Sequence, residues 1–179
     1  QAPAKVLALE EARANAFKTD WANYKPHQPQ LIGVRTLNNY PLDKIVPFID
    51  WTPFFQAWEL AGRYPDILTD EVVGETASQL FKDAQVMLKK IVEQKWLSAN
   101  AVIGLFPANA VGDDIEIYTD ASRSKIAMVY HCLRQQDQKP GGKPNRCLAD
   151  YIAPKDSGIA DTIGLFAVGA GFGIDERIK

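Results

Sequence analysis

Apolar residues recur at spacings of three and four along residues 77–92. The positions are Ala77, Leu80, Phe81, Ala84, Leu88, Ile91 and Val92, and the charged side chains fall mostly between them. One apolar face at this period predicts an amphipathic helix that packs against the core. A weaker form of the pattern, in KVLALEEARANAF, predicts another helix over roughly residues 4–19.

The pattern changes after residue 100, where short runs rich in Val, Ile and aromatic residues are bounded by Gly, Pro, Asn and Asp. The runs are AVIGLF, IEIY, KIAMVYHCL and TIGLFAV. Such runs predict strands, as does the earlier LIGVRTL. VGDD and DASRSK predict turns between strands, and the polar segment 135–146 predicts a loop. Helices first and strands after them favour an α+β fold with a largely antiparallel sheet.

The stretch FIDWTPFFQAWEL, residues 48–60, places a single aspartate, Asp50, among aromatic rings. Thr52 followed by Pro53 predicts an N-cap and the first turn of a short helix, which Gly62 can end. The exposed N–H groups of a helix N-terminus favour a negative charge. Asp50 is therefore either a structural carboxylate at the helix entry or a contact for a positively charged or hydroxyl-bearing ligand.

The composition of the chain argues against some binding partners and favours one cellular compartment. A net charge of −2 without a basic stripe argues against nucleic acid. No apolar run approaches the ~20 residues of a membrane span, and no signal peptide opens the chain. Two cysteines in 179 residues favour a reducing compartment, so we expect a soluble, cytoplasmic protein. The chain lacks an initiator Met and ends in GFGIDERIK without a closing signal, which predicts a piece of a longer polypeptide.

Other sites have weaker support. The glycines of VGAGFGID miss the dinucleotide-binding spacing, which needs a glycine where Ile174 stands. His131, Cys132 and Cys147 lack the spacing of metal ligands. The acids around VGDDIE, which are Asp113, Asp114 and Glu116, are explained by turn chemistry as well as by a carboxylate pair. We therefore predict no catalytic and no metal-binding residue.

Four stretches, taken in their order along the chain, resemble one family. They are FIDWTPFFQAWELAGRYP, GETASQLFKDAQVMLKKI, VIGLFPANAVGDDIEIY and LADYIAPKDSGIADTIGLFAV. The chain resembles, over essentially its whole length, the activation domain of cobalamin-dependent methionine synthase. IDWTPFF and PAN–GDDI are the most specific of the matching motifs. The resemblance implies an α+β domain with a twisted, largely antiparallel sheet and helices around it.

The resemblance also implies a function. In this family the enzyme transfers a methyl group from methyltetrahydrofolate to homocysteine through a corrinoid cobalt. The activation domain binds S-adenosylmethionine (AdoMet) and supports the reductive remethylation of cob(II)alamin. The implied partners are the cobalamin-binding domain of the same polypeptide, which holds the cobalamin, and a flavodoxin or flavoprotein reductase. The isolated fragment is not expected to be catalytic.

Carried over by motif, the family's AdoMet-contacting aspartate in DWTPFF is Asp50. A carboxylate suits the ammonium or the ribose hydroxyls of the ligand. The family's R-P-A-x-G-Y-P motif, whose arginine holds the ligand carboxylate, has no match, because RYP at residues 63–65 lacks the small residues between. Residues 1–179 are thus expected to be the N-terminal portion of such a domain. The alternative is a docking module for the cobalamin domain or the reductant, with no complete ligand pocket of its own.

Overall fold

The structure, a computed structural model, describes residues 5–178. Its helices are α1 (Leu9–Ala14), α2 (Leu42–Ile45), α3 (Thr52–Ala57) and α4 (Gly74–Glu93). Its strands are β1 (Gly33–Leu37), β2 (Ser98–Val111), β3 (Asp114–Tyr118), β4 (Ile126–His131) and β5 (Asp161–Phe172). The predicted α+β class, with most helices before most strands, is confirmed.

All five strands belong to one sheet. Its order is β1-β2-β3-β4, and β5 also pairs with β2. The β2–β3 and β3–β4 pairings are antiparallel. Val111 pairs with Asp114, so VGDD forms the predicted turn, and Gly112 takes a φ of +60° that few other residues adopt easily. The predicted hairpin connection between β3 and β4 is also confirmed.

The described chain divides into two compact units. Among the described residues, the first unit contains 5–35 and 103–166, and the second contains 36–102 and 167–178. The core of the first unit combines alternate residues of β2 and β3, whose successive side chains point to opposite faces, with residues near 148. Its buried members are Ala108, Ala110, Ile115, Ile117, Cys147 and Ala149.

The second unit has its own core around Phe55, Ile67 and Ala77. Leu80 and Phe81 of α4 pack against this cluster, on the apolar face that the sequence predicted. The prediction of a core helix at this place is confirmed. None of the helices within residues 5–178 has both the length and the apolar content required to cross a bilayer.

Two helix predictions were wrong in extent. The N-terminal helix, predicted over 4–19, covers only Leu9–Ala14 among the described residues. Its flanks instead bond to a distant segment: Leu7 N–H donates to the Gln136 carbonyl, and the Asn15 amide donates to Asn145 Oδ1. The helix predicted to end at Gly62 ends at Ala57, where the chain turns through a positive φ at Glu59.

Candidate functional site

Asp50 lies in the second unit, immediately before α3. Its Oδ1 accepts a hydrogen bond of 3.0 Å from the backbone N–H of Thr52. Thr52 is the first residue of α3 rather than the N-cap that the sequence predicted, so Asp50 supplies the capping oxygen. The Asp50 side chain is exposed, and its Oδ2 has no hydrogen-bond partner within residues 5–178. One oxygen of the carboxylate therefore faces solvent while the other holds the helix entry.

Several aromatic residues that follow Asp50 in the sequence pack together in the second unit. We call Trp51, Phe54, Phe55, Tyr64 and Phe81 the aromatic cluster. The Trp51 ring meets Phe54 and Phe81 edge to face, with centroids 5.4 and 4.9 Å apart. This geometry is favourable for aromatic pairs and holds Trp51, the residue after Asp50, against α3 and α4. The aromatic cluster therefore packs next to Asp50 and leaves its carboxylate exposed to solvent.

The loop after α3 is tied to the same place. The Thr52 hydroxyl accepts a hydrogen bond of 3.3 Å from the backbone N–H of Tyr64. Two apolar side chains near Asp50 in the sequence remain exposed, Phe48 at 84% and Trp58 at 60%. Exposed aromatic side chains thus stand before α3, at Phe48, and at its C-terminal end, at Trp58, and such surfaces suit contact with a ligand or a protein partner.

A buried ion-pair network lies in the first unit. The Arg134 guanidinium donates to both oxygens of Asp150, at 2.6 and 2.9 Å, and to Asp113 at 2.8 Å. Arg13 donates to the other oxygen of Asp113 at 2.8 Å. Burial alone would raise the pKa of Asp113, but hydrogen bonds from Arg134 and Arg13 outweigh it and hold that pKa below its ordinary value. Asp113 therefore serves as a counterion to the two arginines.

The acids of VGDDIE do not form a carboxylate pair. Asp114 bonds to His131 at 3.0 Å, whereas Glu116 bonds to Lys155 at 2.7 Å. The hydrogen bond from Lys155 lowers the pKa of Glu116 despite some desolvation. Each acid therefore has its own partner, and no sequence spacing indicated Arg13, Arg134 or Lys155 as those partners.

Two further features bear on the sequence predictions. Within residues 5–178, no three His, Cys, Asp or Glu side chains converge in a group able to hold a metal ion.

A cleft of about 650 Å³ lies in the first unit and does not include Asp50. Its lining includes Phe17, Thr19, Trp21, Val111, Ile152 and Lys155.

The family is decided by comparison with known proteins. A family model described as "Vitamin B12 dependent methionine synthase, activation domain" matches residues 41–179. The chain belongs to this family. The match contains Asp50, the aromatic cluster, α4 and all strands except β1. The resemblance noted in the sequence is confirmed.

A solved activation domain shows the same fold. The chain is similar to the protein in "Crystal Structure of the MetH Reactivation Domain bound to AdoHcy", with 50% sequence identity and a TM-score of 0.84. The similarity covers 96% of this chain and 52% of the related chain. This chain therefore spans about half the length of that relative.

Proposed function

We propose that this chain is part of the AdoMet-binding reactivation domain of cobalamin-dependent methionine synthase. The observation that carries the proposal is its 50% identity, over 96% of its length, to a reactivation domain bound to AdoHcy. AdoHcy is what remains of AdoMet after the methyl group has left, so a site for one is a site for the other. The domain would thereby support reductive remethylation of cobalamin in an enzyme that methylates homocysteine to methionine.

Asp50 is the ligand contact that we propose within residues 5–178. Its Oδ1 is held by the Thr52 N–H, which fixes the direction of the carboxylate, and its Oδ2 remains available. A charge-assisted hydrogen bond to the ammonium or a ribose hydroxyl of AdoMet fits this oxygen. The chain's own task would be to hold and orient the methyl donor. The corrinoid, held by a neighbouring domain of the parent polypeptide, would supply the methyl-transfer and redox chemistry.

The extent of the match bears on how complete the ligand site is. Coverage of 52% of the related chain supports the proposal that residues 1–179 correspond to the N-terminal portion of such a domain. The missing R-P-A-x-G-Y-P motif supports the same assignment. The cobalamin domain and a flavodoxin-type reductant are the proposed partners, and the cytoplasm is the proposed compartment because few cysteines suit reducing conditions.

A second candidate is a docking module without a complete ligand pocket. The exposed rings of Phe48 and Trp58, on either side of Asp50 in the sequence, favour it, because exposed aromatic residues are enriched at protein interfaces. In this case the helix entry would contact the cobalamin domain or the reductant directly.

Titration calorimetry of the 179-residue chain with AdoMet and AdoHcy separates the two candidates. We expect saturable binding of both, and no binding of adenine alone, which lacks the ribose and the amino-acid portion. A folded chain that binds neither ligand would contradict AdoMet binding by residues 1–179 and favour the docking module. Circular dichroism of the same sample establishes that the chain is folded.

A further inference from the structure

The chain has two cysteines, and the structure brings them into one cluster. Both Cys132 and Cys147 are free thiols. Cys147 is 3% exposed within the core of the first unit, and the half-buried Cys132 packs against the same buried residues. Their sulfur atoms make only weak contacts to backbone carbonyls, 3.5 Å from Cys147 Sγ to Asp113 and 3.7 Å from Cys132 Sγ to Tyr130.

The backbone between the two cysteines returns on itself. Gln135 N–H donates to the Arg146 carbonyl at 3.0 Å. The buried Asn145 amide donates to the Gln135 carbonyl at 2.9 Å. These bonds close residues 133–146 into a loop whose two ends carry Cys132 and Cys147. The folded chain therefore holds the two ends of this segment together.

The two thiols also influence each other electrostatically. Burial, and then the adjacent Cys147 thiol, raise the pKa of Cys132 to about 11. Cys132 is consequently almost wholly protonated at neutral pH, which slows its reaction with alkylating reagents. Once Cys132 carries a bound thiol, attack by Cys147 on Cys132 Sγ is intramolecular and gains from a high effective concentration.

We propose that Cys132 and Cys147 form a redox modification site, a dithiol that a low-molecular-weight disulfide such as oxidised glutathione converts into an intrachain disulfide. The more accessible Cys132, as thiolate, attacks one sulfur of oxidised glutathione and releases one glutathione thiolate. Cys147 then loses its proton to solvent and attacks Cys132 Sγ, which releases the second glutathione. The protein loses two electrons and two protons, and one glutathione disulfide becomes two glutathione thiols.

The crosslink would act on the ion-pair network of the first unit. Cys147 N–H donates to Asp150 Oδ2 at 2.8 Å, and the same Asp150 binds Arg134. Arg134 lies two residues after Cys132, so a bond between the cysteines joins both sides of this ion pair covalently. Oxidation would therefore hold the 133–146 loop closed, and reduction would restore its ordinary freedom.

The test exposes the folded 179-residue chain to a series of reduced-to-oxidised glutathione ratios, followed by N-ethylmaleimide and mass spectrometry. We expect a monomer that has lost the mass of two hydrogen atoms, with Cys132 and Cys147 in one crosslinked peptide. Dithiothreitol should restore two thiols that N-ethylmaleimide can label after unfolding. Limited proteolysis should show the 133–146 loop cut more slowly in the oxidised than in the reduced chain.

Two variants serve as matched controls, Cys132→Ser and Cys147→Ser. Each retains one thiol, so each should yield no intrachain product and at most one attached glutathione. The proposal is overturned if the native wild-type chain stays fully reduced, carries glutathione on both cysteines, or crosslinks only between molecules. It is equally overturned if the intrachain bond forms only at denaturant concentrations that unfold the chain. The cysteines lie outside the second unit, so these outcomes do not depend on AdoMet binding.

Discussion

Arg134 and Asp150 form a two-bond ion pair, with donor–acceptor distances of 2.6 and 2.9 Å and side chains only 3% and 6% exposed. The same guanidinium also binds Asp113. The free-energy cost of burying a charge depends on its partners, because an unpaired buried charge is far more costly than a paired one. Arg134 therefore holds two carboxylates that would otherwise oppose folding.

Replacing Arg134 by Ala should destabilise the protein strongly. Loss of one partner from a buried ion pair costs about 3–5 kcal/mol, because it leaves Asp113 and Asp150 short of a counterion. Urea denaturation followed by circular dichroism measures the free energy of unfolding. The exposed Lys125, replaced by Ala, is the control and should change that energy by no more than about 0.5 kcal/mol. Similar losses in the two variants would contradict a structural role for the network.

Stability should fall in acid partly through Asp113. Its pKa is lower in the folded chain than its ordinary value of 3.8. A carboxylate of this kind stabilises the fold above its unfolded pKa, and the contribution is lost as the pH falls through the folded pKa. Denaturation midpoints should therefore decline below about pH 4 on account of this group. Asp113→Asn should flatten the decline, and an unchanged slope in that variant would contradict the prediction.

Asp50→Asn should separate the capping role from ligand binding. Asn keeps the capping oxygen, so stability should change by no more than about 1 kcal/mol. Loss of a charged hydrogen bond, worth roughly 1.5–3 kcal/mol, should weaken AdoMet binding about ten- to a hundredfold. Calorimetry measures the affinity and thermal melting the stability. A collapse of stability with unchanged affinity would leave Asp50 as a helix cap alone.

Asp70 offers a matched control for that experiment. Its Oδ1 accepts hydrogen bonds from the backbone N–H groups of Val72 and Val73, just before α4, in the manner of Asp50 before α3. Asp70→Asn should leave the AdoMet affinity unchanged. Repeating the Asp50→Asn measurement with 5′-methylthioadenosine, which lacks the ammonium, identifies the contact. If Asp50→Asn no longer weakens binding of 5′-methylthioadenosine, Asp50 contacts the ammonium of AdoMet. If it still weakens binding, Asp50 contacts the ribose.

Gly62→Ala should disturb the support of the α3 entry. Gly62 has a φ of +146°, and a Cβ there would lie 2.9 Å from Cγ1 of the buried Ile67. Gly158 also has a positive φ but open space around it, so Gly158→Ala isolates the backbone strain. We expect Gly62→Ala to be about 1–3 kcal/mol more destabilising than Gly158→Ala, which is the usual cost of overpacking. Equal free energies of unfolding would show that Ile67 yields to the new methyl group.

Asn145→Ala should open the polar segment 135–146. The Asn145 side chain is fully buried, donates to the carbonyls of Gln135 and Asp137, and accepts from Asn15. Its removal should leave these groups without partners, at a cost of about 1–3 kcal/mol, and should speed proteolysis within 135–146. The exposed Asn23, replaced by Ala, should not change the cleavage rate. Unchanged cleavage in Asn145→Ala would contradict the idea that this side chain holds the segment closed.

Local patterns in the sequence determined the elements and the family. The three- and four-residue spacing of α4 identifies its buried face without knowledge of what packs there, because a helix repeats every 3.6 residues. VGDD identifies the turn between β2 and β3, because a glycine accepts the positive φ that the turn requires. IDWTPFF resembles the family, and the match of the family model to residues 41–179 confirms that resemblance. The assignment of Asp50 as a ligand contact stays a prediction. Physics alone left its capping and ligand roles open.

Tertiary structure decided what joins distant parts of the chain. It limits α1 to six residues, because Leu7 and Asn15 bond to the 136–145 segment instead of extending the helix. It pairs Arg13 with Asp113, 100 residues apart, and brings Cys132 and Cys147 into one cluster. No local period records such partners, because the free energy of an ion pair or a packed thiol depends on position in space and on burial. Those two quantities exist only once the chain has folded.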